Sequence, residues 1–164
     1  MDQIVESLMK KIIIILTIFL LDRATKIYLI DLQALGTDID FYINSLLNIY
    51  LVWNTGIGFG LISLESNIFY HILTLIIFII NLTLIFFLTK SKGSNAYLFA
   101  IIIGGSLGNL FDRLYYNAVP DFIDFHIGSF HWFIFNVADI FITVGIIGII
   151  FTELFKNNNI KTNA

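Results

Sequence analysis

The chain has 164 residues, 58% hydrophobic and 13% charged, with a formal net charge of −3 and a mean hydropathy of +0.89. Soluble domains average about 45–50% apolar and about 25% charged residues, so this chain has too few charges to coat a water-soluble globule. That excludes a soluble domain, a disordered chain and a nucleic-acid binder, and points to an integral membrane protein. There is no cysteine, so disulfides, thiolate metal sites and a cysteine nucleophile are excluded too.

Four windows reach the roughly 20 mostly apolar residues that a membrane helix needs. In chain order they cover about 8–30, 67–89, 96–115 and 132–155. The first carries Asp22, Arg23 and Lys26 in its second half, and the second carries no formal charge. The third is clean until Asp112 and Arg113, and the fourth contains Asn136 and Asp139. Lys10 and Lys11 ahead of an apolar run look like the start of a cleaved signal peptide. No small-x-small cleavage site follows, so the window reads as a retained span.

Lys10, Lys11, Lys90, Lys92, Lys156 and Lys161 all fall on one side of a four-span arrangement, while the connections 31–66 and 116–131 hold no Lys or Arg. The excess of basic residues on the cytoplasmic side then places both termini inside. The connection 31–66 is too long to be passive. Ile39, Phe41 and Ile43 alternate with polar neighbours, and 46–53 is rich in β-branched and aromatic residues, which suggests two short strands. Asn54-Thr-Gly-Ile-Gly-Phe-Gly60 follows with turn chemistry. The expected fold is an all-α membrane protein of four transmembrane helices, both termini cytoplasmic. A small extracytoplasmic β element lies between spans 1 and 2, and residues 1–164 form one domain.

Ionisable groups inside spans are costly, and each is a functional hypothesis. Asp22 and Lys26 are four apart and share a helix face; they serve either as an ion pair holding the bundle or as part of a site. Arg23 points elsewhere and is expected to snorkel to the outer surface. Asn109 and Arg113 are four apart within Gly104-Gly-Ser-Leu-Gly-Asn-Leu-Phe-Asp-Arg113, whose glycines allow close helix approach. Asp112 reads as a charge paired with a neighbour. Asn136 and Asp139 share a face, and Asp139 falls seven residues inside the fourth window, about 10 Å along a helix. Asp121 and Asp124 lie in the second outer connection. Asp22, Asn54, Arg113, Asp121 and Asp139 all lie toward the outer face in this topology, which implies one shared wet pocket. Two carboxyl groups held close cannot both ionise, so they share a proton. The ionised one can take a proton from an attacking water while the other donates to the carbonyl oxygen or leaving amine.

Five blocks, in order, resemble the lipoprotein signal peptidases, also called signal peptidase II: Asp22-x-x-x-Lys26, Asn54-x-Gly56-x-x-Phe59, Gly104-Gly-x-x-Gly-Asn-x-x-Asp-Arg113, Asp121-Phe122, and Phe135-Asn-x-Ala-Asp139. The last three with those gaps are highly specific; the first two alone are weak. The resemblance implies a bacterial inner-membrane aspartyl endopeptidase with its active site toward the outer face. Such an enzyme removes the signal peptide of a prolipoprotein just before a diacylglyceryl-modified cysteine. It further implies catalysis by Asp121 and Asp139, with Asn54, Asn109, Arg113 and Asn136 supporting the pair or holding substrate, and Asp22 and Lys26 as a structural polar motif. No metal or other cofactor is implied. The implied partners are prolipoproteins, membrane lipids and the inhibitor globomycin, with no nucleic acid, and the implied state is a monomer. Pro120 stands where the family often has Val, and Ile57 and Gly58 replace small residues. Residue chemistry alone does not separate Asp124 from Asp121; the resemblance favours Asp121.

Two other readings compete. Asp121, Asp124, His126 and His131 could serve a metal-dependent membrane protease or cation carrier, although their spacing matches no metal motif. Buried Asp, Asn and Arg could also serve a small transporter or scaffold that is not an enzyme.

Overall fold

The computed structural model describes residues 2–56, 67–128 and 130–161. The elements run α1 (Asp2–Ala34), β1 (Asp40–Asn44), β2 (Leu47–Asn54), α2 (Asn67–Lys90), α3 (Ser94–Tyr115), β3 (Val119–Ile127), β4 (Phe130–Phe135) and α4 (Val137–Lys161). α3 is the central helix and packs against α1, α2 and α4. Its glycines make that possible. A Cβ on Gly105 would sit 2.5 Å from the Ala138 carbonyl oxygen of α4, and one on Gly108 would sit 2.5 Å from Asp22 Oδ2 of α1. Outside this seam the helices present bare apolar side chains, such as Leu75, Phe86, Ile147 and Phe151, each about half exposed. Such a surface is stable only against lipid.

The four strands among the described residues form one antiparallel sheet in the order β1-β2-β3-β4. Leu29 of α1, Ile39, Leu51 of β2 and Phe122 of β3 make a buried cluster, with Val137 of α4 packed against it. Fully burying one such side chain contributes about 1.5–3 kcal/mol, so the cluster welds the sheet to the ends of α1 and α4.

The expected four-span, all-α fold with a small β element between the first two spans is corrected here. Among the described residues, three helices are long and apolar enough to cross a membrane: Ile68–Lys90, Ser94–Tyr115 and Val137–Phe155. α1 is helical throughout, but Asp22, Arg23 and Lys26 interrupt its apolar run and leave it outside that set. With the fourth span goes the count on which the placement of both termini rested. The sheet is also larger than expected, because the second connection supplies β3 and β4 as well. Residues 132–135, assigned to the last span, belong to β4. A short aromatic run suits strand and helix equally, and its period does not decide between them; pairing with β3 does. Asn136 then starts the helix as its N-cap. The expected turn at 54–60 falls, from Ile57 on, outside the described residues.

Candidate active site

The site lies where β2, β3 and the first turn of α4 meet the middle of the helical bundle. Asp121 projects from β3 and is 4% exposed. Its Oδ2 accepts a hydrogen bond from Asn54 Nδ2 (2.9 Å) and its Oδ1 accepts one from Asn136 Nδ2 (2.6 Å). Strand pairing delivers Asn54, since Asn54 registers with Val119 and Trp53 with Pro120. Asn54 Oδ1 accepts from Gly56 N (2.9 Å), a local turn that aims the amide at Asp121.

Asp139 sits at the third position of α4. The backbone N–H of Asp139 donates to Asn136 Oδ1 (3.1 Å), and Asp139 Oδ2 accepts from the backbone N–H of Asn136 (3.2 Å). This reciprocal pair is an Asn/Asp version of the capping box. The sequence reading placed Asp139 seven residues deep in a span; it lies in the first turn, at the sheet end. Asp139 Oδ1 accepts from Asn109 Nδ2 (2.8 Å). Asn136 Nδ2 also donates to Asn109 Oδ1 (3.1 Å). One fully buried amide, Asn136, thus holds both acids through its cap and its side chain.

Burial in the first place, and repulsion from Asp139 in the second, push the Asp121 carboxyl from 3.8 up to about 6, against the opposing pull of its two asparagine donors. The acids border a cavity of about 230 Å³, which Asn54, Asn109, Arg113 and Ser106 also line, with Ile77, Ile80 and Ile142 on its apolar side.

Beneath the acids lies a buried charge cluster. Lys26 Nζ donates to Asp22 Oδ2 (2.8 Å), Asn109 Oδ1 (2.8 Å) and Asp112 Oδ2 (2.7 Å). Asp22 Oδ1 accepts from the backbone N–H of Ala138 (3.0 Å), tying α1 to the start of α4. Arg23 does not snorkel outward: it is 6% exposed, pairs with Asp112, and lies over the Phe111 ring at 4.9 Å. Arg113 donates through Nη2 to the Gly56 carbonyl oxygen (2.6 Å) and stands over Tyr70 at 5.6 Å.

The structure therefore brings Asn54, Asn109, Asn136, Asp121 and Asp139 into one hydrogen-bonded group, reached by Lys26 through Asn109. Asp124 lies apart from it, bonded to His131 (2.8 Å). Residue spacing missed Asn81, which donates to Ser106 Oγ (2.9 Å) across α2 and α3. The signal was present, since Asn81 is an amide in the middle of an uncharged apolar run.

Apolar helices closed at one end by a sheet, with two acids on a shared polar network at that junction, define a membrane hydrolase of the aspartic class. Comparison with known proteins agrees. The family model for signal peptidase (SPase) II matches residues 14–155. The lipoprotein signal peptidase of Pelagibacter ubique (strain HTCC1062) is 49% identical over 152 residues, 93% of this chain and 91% of that protein. That of Anaplasma phagocytophilum (strain HZ) is 41% identical over 153 residues, 92% of this chain and 95% of its own. A solved bacterial membrane enzyme superposes with a TM-score of 0.73 at 31% identity, covering 92% of this chain and 90% of the other. The chain belongs to the signal peptidase II family and is an aspartic endopeptidase.

Proposed function

We propose that Asp121 and Asp139 form the catalytic pair of an enzyme that cuts prolipoproteins just before their diacylglyceryl-modified cysteine. The removal of signal peptides from bacterial prolipoproteins is the activity of the family. The observation that carries the assignment of the pair is the Asn136 amide, capped onto Asp139 and 2.6 Å from Asp121. Two acids fixed to one amide keep their relative position without further reorganisation.

The reaction needs one proton on the pair. The ionised carboxyl takes a proton from water as the water oxygen attacks the scissile carbonyl carbon. The protonated one donates to the carbonyl oxygen, and the leaving amine collects a proton as the C–N bond breaks. The raised Asp121 carboxyl supports its holding that proton in mildly acid conditions. Asn54 and Asn109 orient the outer oxygens of the two carboxyls, and Arg113 holds the Gly56 backbone at the cavity rim.

The enzyme resides in the bacterial inner membrane with this site toward the outer face. The basic residues support that orientation. Lys90 and Lys92 lie between α2 and α3 and Lys156 lies late in α4, at the ends remote from the sheet. The lipid-anchored cysteine then brings the scissile bond to the sheet–helix junction, and its acyl chains lie against bilayer-facing surfaces. Globomycin competes for this cavity. The chain acts as a single unit and as a monomer.

The test is cleavage of a lipidated precursor by the purified protein. Asp121→Asn and Asp139→Asn forms that still insert are expected to lose cleavage; normal cleavage by both refutes the pair.

A further inference from the structure

The sheet carries a second polar cluster, distinct from the aspartate pair. Asp124 and His126 lie two apart on β3, and His131 of β4 registers with His126. Nδ1 of His131 is 2.8 Å from Asp124 Oδ2, and Nδ1 of His126 is 3.5 Å from the same oxygen. The two rings are 5.3 Å apart. One donor atom from each residue can be chosen so that all lie within 4.8 Å of one another.

Burial makes this arrangement costly as a set of bare side chains. Asp124 is 2% and His126 7% exposed, yet Asp124 Oδ1 and His126 Nδ1 have no hydrogen-bond partner among the described residues. Asn48 registers with Asp124 across β2 and β3, so the two share a face. Its Oδ1 is likewise buried and unpartnered among the described residues. Two imidazole nitrogens thus converge on one carboxylate oxygen, at 2.8 and 3.5 Å.

We propose that Asp124, His126 and His131 bind one divalent cation of the zinc type. At the bond lengths of about 2.0–2.1 Å usual for zinc, tetrahedral ligand atoms stand about 3.3 Å apart, between the 2.8 and 3.5 Å separations of the nitrogens from Asp124 Oδ2. Two imidazoles with a carboxylate suit a borderline ion better than magnesium or calcium, which take oxygen ligands. The ion replaces whatever proton lies between His131 and Asp124, so binding requires both rings neutral. The His131 side chain is 56% exposed, which leaves an open approach. Asp121 and Asp124 are three apart on one strand, so their side chains leave opposite faces. The ion therefore pins β3 to β4, the strands that carry Asp121 and lead into Asn136, without touching the reacting atoms.

The experiment uses the full, tag-free chain in detergent with Zn²⁺ alone, followed by calorimetry and thermal unfolding, and with Co²⁺ followed by absorption. The expected result is one equivalent of Zn²⁺ per chain, a raised unfolding midpoint, and the intense visible bands of tetrahedral Co²⁺. His126→Gln and His131→Gln each weaken Zn²⁺ binding by about tenfold or more, at least what losing a mere neighbour of a metal ligand costs. Asp121→Asn keeps it. Absence of saturable Zn²⁺ binding by the unaltered chain overturns the proposal. So does unchanged affinity in both histidine variants, or loss of binding in Asp121→Asn, which would place the ion on the aspartate pair. The Co²⁺ spectrum of the unaltered chain needs no variant, so a misfolded variant does not decide the matter.

Discussion

Replacing Lys26 by methionine tests whether the charge cluster under the acids is what holds the site. The Lys26 ammonium spends all three of its N–H donors, on Asp22, Asn109 and Asp112. Its side chain and those of both acidic partners are fully buried. With Arg23 paired to Asp112, the four charges sum to zero. Lys26→Met leaves one buried negative charge uncompensated, and removing one partner of a buried pair costs about 3–5 kcal/mol. At about 2–4 °C per kcal/mol for a chain of this size, the unfolding midpoint should drop by roughly 6–20 °C. The damage reaches the chemistry, because Asn109 loses the donor that helps fix its orientation toward Asp139. The measurement is thermal unfolding in detergent by tryptophan fluorescence, beside cleavage of a lipidated precursor. Lys26→Met with Asp22→Asn removes one charge of each sign and leaves Arg23–Asp112 intact, so it should recover a large part of the midpoint. Lys26→Arg should not rescue, because a planar guanidinium does not fit three oxygens converging on a point. A midpoint within about 2 °C of the parent, under the smallest change that this mechanism allows, refutes the reasoning, as does a double variant no better than the single.

The other predictions rest on individual contacts. Asp121 is held at about 6, so the pair gives up its shared proton as pH rises through that value, and kcat/KM should fall about tenfold per pH unit above it. Asn54 donates to the ionised form, so Asn54→Ala should move that alkaline limb to higher pH; a limb moving lower would contradict the hydrogen bond seen here. Gly108→Ala should destabilise by about 1–3 kcal/mol as an overpacked position, because its Cβ would meet Asp22 Oδ2 at 2.5 Å while Lys26 and Ala138 pin that carboxylate; an unchanged unfolding midpoint would refute it. Asn136→Ala loses an N-cap, at about 1 kcal/mol, but also the link between the acids, so cleavage should fall far more than stability; parallel losses measured by rate and midpoint would make Asn136 merely structural.

Local information alone located much of this protein. Few charges and long apolar runs placed it in a membrane, because desolvation of charge is costly enough to show in composition. The spacing of Asp22 with Lys26, and of Asn136 with Asp139, marked partners, since a helix brings residues three or four apart onto one face. Those pairs meet in the structure, and the order and gaps of the motifs sufficed to recognise the family. Packing decided the rest. Arg23 looked bound for the surface until Asp112, 89 residues away, met it. The aromatic run 132–135 is strand rather than helix because β3 pairs with it, and that moved Asp139 from about two turns inside the span to the first turn of α4. Asn54 reaches Asp121 across 67 residues, and Lys26 reaches Asp112 across 86. Such contacts leave no period in the chain, because they depend on which surfaces meet after the helices and the sheet have formed. Residue type and spacing therefore announced Asp139, and the motif resemblance preferred Asp121 to Asp124, while only the packed structure determined which amide holds the two together and which lysine lies beneath.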